Sequence, residues 1–174
     1  MRNASLALAL GLTGCFTYPC DTDVLACEDG EALELDPTCE AEGELELVAR
    51  ENESDAPIPA DAWPTVHEGA QGLLHFALAL QMRGMDPDHQ EIEITLRVEA
   101  CEDEACATTT MITSRTLVAD AQVLEVDDDA VELHDIVLVL DEAPPQDGRL
   151  VVEALDACGR TASLVVRAGS PAPR

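Results

Sequence analysis

From residue 44 onward, apolar and polar residues alternate with a period of two, and this limits the folds open to the chain more than any other feature. The clearest run is Glu91-Ile-Glu-Ile-Thr-Leu-Arg-Val-Glu99, where Ile92, Ile94, Leu96 and Val98 share one face and charged or hydroxyl residues share the other. In a strand, successive side chains point to opposite faces, so such a run buries one face and wets the other. The same pattern predicts strands over 44–50, 73–82, 108–118, 122–126, 131–140, 149–155 and 161–167. Within 73–82, Leu74, Phe76, Leu78, Leu80 and Met82 fall on one face. Turn-forming residues separate the runs: Gly84, Asp86-Pro87, Asp127-Asp-Asp129, Pro144-Pro145, Asp147-Gly148 and Cys158-Gly159. No stretch carries a long, capped period of 3.6. Seven or more short strands with frequent turns predict an all-β, immunoglobulin-like antiparallel β-sandwich over 44–168. The Pro-rich connection 51–71 is expected to be unstructured and to span between sheets, and 169–174 reads as a flexible tail.

The start of the chain has a different character. Arg2 precedes a short apolar run, Leu6 to Leu12, and Leu12-Thr13-Gly14-Cys15 reads as a lipobox. The run is too short to cross a bilayer. The expected arrangement is a lipoprotein signal peptide over 1–14, with Cys15 acylated as the mature N-terminus, followed by a Cys-bearing lead segment over 15–43. Each buried CH₂ is worth about 0.8 kcal/mol, so several acyl chains hold a protein at a membrane without a spanning helix. Phe16, not Asp, follows Cys15, and the expected address is therefore the outer membrane, on its periplasmic or outward surface.

Charge narrows the partners. The formal net charge is −27, and all nine basic residues are Arg. So acidic a chain repels nucleic acid, and no nucleic-acid partner is expected. Phe16, Tyr18, Trp63 and Phe76 are the whole aromatic complement, which leaves little for stacking sugars.

With Cys15 acylated, Cys20, Cys27, Cys39, Cys101, Cys106 and Cys158 remain, an even number that reads as three disulfides in an exported protein. Cys101 and Cys106 flank four residues at the end of a strand, close enough to bridge a hairpin. Cys39 precedes the first strand and Cys158 sits in the last hairpin turn, at the same end of a sandwich. Cys20 and Cys27 are then left as a local pair. The spacing leaves open a swap among Cys20, Cys27 and Cys39. None of these spacings is the short C-x₂-C repeat of zinc sites.

Glu68-Gly-Ala-Gln-Gly72, His75, Arg83-Gly84, Asp86-Pro87 and the final Asp156-Ala-Cys-Gly-Arg160 resemble a group of uncharacterised myxobacterial lipoproteins. Their pattern has a Gln-Gly-Gly-x-His core, whereas here Leu73 follows Gly72. The resemblance covers roughly 45–168. It implies an immunoglobulin-like domain and carries no activity.

Catalytic patterns are missing from the sequence. There is no G-x-S-x-G elbow around a serine, and no Lys to complete a phosphate loop. Asp127, Asp128 and Asp129 could offer oxygens to Ca²⁺, although no Asp-x-Asp-x-Asp-Gly loop surrounds them. His67 and His75 could form a metal pair across the loop–strand junction. The expected function is a non-enzymatic, lipid-anchored envelope protein without a cofactor, acting through contacts with an envelope protein or in surface architecture. The alternative is a Ca²⁺- or ligand-binding module built on the acidic loops.

Overall fold

The computed structural model describes residues 33–39, 43–54, 56–69, 71–86, 91–119, 125–127 and 130–169. These form nine strands: β1 (Glu46–Glu51), β2 (Val66–Glu68), β3 (Leu74–Arg83), β4 (Ile92–Cys101), β5 (Thr109–Ala119), β6 (Glu125–Asp127), β7 (Ala130–Leu140), β8 (Gly148–Asp156) and β9 (Thr161–Ala168). The first sheet has the order β1-β3-β7-β6, with β2 also paired to β3, and the second has the order β5-β4-β8-β9. All pairings are antiparallel. The chain crosses between sheets after β3, after β5 and after β7, giving the two-sheet arrangement of an immunoglobulin-like sandwich. The described residues contain no helix long and apolar enough to cross a membrane.

The alternation in the sequence becomes the core. Ile92, Ile94, Leu96 and Val98 of β4 are fully buried and meet Phe76, Leu78, Leu80 and Met82 of β3 in one cluster. Leu150 and Val152 of β8, with Ile136, Leu138 and Leu140 of β7, belong to the same cluster. Burial of each such side chain contributes about 1.5–3 kcal/mol, so this double layer dominates the stability.

Two bulges interrupt the ladders. Between β3 and β7 the register runs Leu78↔Ile136 and then Leu80↔Leu133, which leaves one extra residue on β7. Asp135 takes up the extra residue with φ 56°, in the left-handed region where Asp is among the better-tolerated residues. The Asn52 side chain holds it there: Asn52 Nδ2 donates to Asp135 Oδ1 at 2.6 Å, and the Asp135 N–H donates to Asn52 Oδ1 at 2.8 Å. The second bulge lies on β5, where Val98↔Thr113 is followed by Glu99↔Met111.

The 51–71 connection differs from expectation. It joins β1 and β3 of the same sheet, and it carries β2. It also places Trp63 over the end of the core, with its ring 5.9 Å from Phe76 and its Nε1 donating to the Pro145 carbonyl at 2.8 Å. Gly148 makes this fit possible, since a Cβ there would lie 2.5 Å from the Glu99 carbonyl oxygen and 2.8 Å from the Trp63 ring. The Arg167 N–H donates to Ala60 O, so the same connection reaches β9 in the second sheet.

The β6 strand covers only Ala130–Glu132 of β7. Beyond that point, the free side of β7 faces β5 of the other sheet. Thr113 Oγ1 donates to Val139 O at 3.3 Å, and the Arg115 guanidinium donates to Val137 O. Side chains from one sheet thus occupy the edge carbonyls of the other.

Candidate functional site

Three constellations bring chemistry-bearing side chains together. The first lies on the outer face of the second sheet. Arg97 on β4 makes a two-pronged contact with Glu153 on β8, at 2.7 and 2.9 Å. Its Nε also reaches Glu99 at 3.3 Å, while Arg149 Nε donates to the other Glu99 oxygen at 2.6 Å. Cross-strand register sets this up, because Glu99 pairs with Arg149 and the positions alternate along the same face. Burial pushes the Glu99 carboxyl up, but hydrogen bonds from Arg149, Thr109 and Arg97 outweigh it, and the group sits below the usual carboxylate range. The Arg97 hydrogen bonds hold Glu153 below that range as well, and Glu153 in turn raises Arg97. Beside this cluster, an open trough of ≈ 430 Å³ is lined by Glu93, Thr95, Glu153, Leu155, Thr161 and Ser163 among others.

The second constellation is the cysteine set. Cys39 and Cys158 are joined as a disulfide, with Cα atoms 5.3 Å apart and a sequence separation of 119. The Asp36 N–H donates to Ala157 O at 2.8 Å, fastening the same segment to the β8–β9 turn. Asp156, almost fully buried under that turn, accepts from the Arg160 backbone N–H and guanidinium at 2.6–2.8 Å. Cys101 and Cys106 are also joined, with Cα atoms 4.7 Å apart. Asp103 folds their loop by accepting from the Ala107 and Thr108 N–H groups, which lower its pKa. Asp86 lies against Cys39 and Cys158, but sulfurs bonded to each other supply no thiolate for a metal.

The third is the histidine pair. His67 on β2 stands directly opposite His75 on β3, with ring centroids 5.6 Å apart and planes at 29°. Glu53 Oε1 lies 3.8 Å from His67 Nδ1. The residues that carry the lipoprotein resemblance explain this placement. Gly69 and Gly72 close the hairpin turn: the Gly72 N–H donates to Gly69 O and the Gly69 N–H to Leu73 O. Gly72 has φ 77°, which favours glycine.

The other sequence candidates are less assembled. Asp127 ends β6 opposite Ala130, whereas Asp128 and Asp129 lie outside the described residues, as do Cys15, Cys20 and Cys27. His134 is elsewhere on β7, 3.3 Å from Glu132. Sequence reasoning missed the Arg97–Glu99–Arg149–Glu153 cluster altogether. Its signal was the charged outward residues of two strands that pair with each other. No protein-family model, curated protein or solved structure matches the chain.

Proposed function

We propose that the chain is a lipid-anchored protein of the cell envelope, whose β-sandwich serves contacts with other envelope proteins or surface architecture and performs no catalysis. The observation that carries this reading is the Cys39–Cys158 bridge, which ties the segment following the lipobox to the last hairpin of the sandwich. Disulfides persist in exported proteins and are rare in reducing compartments, so a bridge of this kind fits an envelope address. Acylation of Cys15 would then attach the sandwich to the outer membrane without a spanning helix. The wide polar outer face of the second sheet, with its trough beside Glu153, is the contact surface we favour for an envelope partner.

Labelling with radioactive palmitate in the native host tests the anchor. The wild-type protein should take up label and sediment with outer membranes, while Cys15→Ala should do neither. Equal labelling of the two proteins would overturn the reading. Affinity capture from the same membranes then identifies the partner, and loss of capture in Thr161→Arg/Ser163→Arg would assign the contact to the second sheet.

A further inference from the structure

We propose that His67 and His75 form a binding site for a transition-metal dication of the Zn²⁺ or Cu²⁺ class. Two imidazoles in register across a hairpin offer nitrogen ligands, which such ions prefer to carboxylate oxygen. The spacing suits the ion. With Zn–N bonds of about 2.1 Å at a tetrahedral centre, two bound imidazole rings have centroids roughly 5 Å apart. The observed ring-centroid separation, 5.6 Å, is close to that value.

The pair is held in advance by the backbone. Both histidines are half-buried, and the Gly69–Gly72 turn fixes the register that faces them to one another. Among the described residues, no hydrogen bond engages the His75 ring, and its neighbour across the β3–β7 ladder is apolar Val139. Glu53, 77 % exposed, adds negative charge beside His67 and can swing in as a third ligand, with water completing the shell. A metal ion takes the lone pair of a neutral imidazole, so each ring must offer an unprotonated nitrogen to the ion.

The test is titration of the full chain in detergent with Zn²⁺ and with Cu²⁺, each in excess Ca²⁺ to occupy the many carboxylates. One ion per chain should bind at pH 7.5. His67→Gln and His75→Gln should each weaken binding at least ~10-fold, because a chelate loses its second, intramolecular ligand. His134→Gln should leave it unchanged. His67 lies on a three-residue strand at the sheet margin, so circular dichroism of His67→Gln should match wild type and keep the comparison valid. Wild-type affinity in His67→Gln, or displacement of the ion by Ca²⁺, would overturn the assignment.

Discussion

In the second sheet, β4 and β8 pair without interruption from Ile92↔Asp156 to Ala100↔Gly148, and β9 continues the ladder beside them. In the first sheet, β3 shares one edge between β1 and β2, its other neighbour β7 carries a bulge, and β6 covers only three residues of β7. Both sheets contribute fully buried Leu and Ile to the same core. What differs is how the polar backbone is satisfied. Apart from the bulge on β5, the second sheet relies on strand pairing, while the first borrows Asn52, Thr113 and Arg115 side chains where pairing stops. Regular pairing gives a rigid slab, and patched pairing gives a sheet held by individual contacts that can be removed singly.

The largest expected effect comes from cutting the bond that joins the entry of the first sheet to the last hairpin of the second. The chain-entropy argument gives about 5 kcal/mol for the loop closed by Cys39–Cys158 and about 2 kcal/mol for the one closed by Cys101–Cys106. Thermal melts should therefore show a larger drop for Cys39→Ser/Cys158→Ser than for Cys101→Ser/Cys106→Ser. The reverse order would mean that the clamp contributes little beyond the sheets.

Cavity formation should separate the sheets next. Leu96→Ala opens a void between two long, continuous neighbours that cannot easily close on it, and should cost about 3–4 kcal/mol in urea unfolding. Leu138→Ala lies beside the free side of β7, where relaxation is easier, and should cost about 2–3 kcal/mol. Equal losses would show that the two sheets resist collapse alike.

A smaller effect resides in the charge cluster of the second sheet. Glu99→Gln should cost about 1–2 kcal/mol, since it weakens hydrogen bonds to two partly exposed guanidinium groups. The folded-state pKa of Glu99 is depressed, so its contribution is present above the unfolded value of about 4.3 and fades as pH falls through the lower folded value. The gap between wild type and Glu99→Gln should be flat from pH 7 to 5 and narrow below pH 4. A gap that widens with acid would contradict this assignment. Smallest of all, Asn52→Ala should cost about 1 kcal/mol by releasing the Asp135 bulge, and faster amide exchange should be confined to the middle of β7.

The same contrast decides what could be read from the sequence. The inward face of β4 was legible because its alternation is strict and neighbours cover it on both sides. The phase of β7 was not, because Val131 and Leu133 point inward on one parity and Ile136, Leu138 and Leu140 on the other. With Val137 and Val139 also apolar, the composition cannot reveal the slip at Asp135. The strand β2 is three residues long, too short for any periodicity to register. Its pairing was nevertheless encoded, since His67 and His75 are equidistant from position 71, the middle of the glycine-flanked turn. The metal candidates Asp127, Asp128 and Asp129 rest on acidic density alone, whereas the histidine pair, also visible in the sequence, is brought face to face by the hairpin register.

The Cys39–Cys158 bridge also sets the route that tension would take through the molecule. A pull on the chain ahead of residue 39 would ordinarily reach β1 first and peel it from β3, one hydrogen bond at a time. The bridge instead diverts that force at Cys39 into the turn between β8 and β9, reinforced by the Asp36–Ala157 hydrogen bond. From there it runs along β8, which is paired on both sides, so many bonds must shear together. The outermost strand is thereby spared, and a pull applied ahead of residue 39 is borne by one of the best-fastened interior strands.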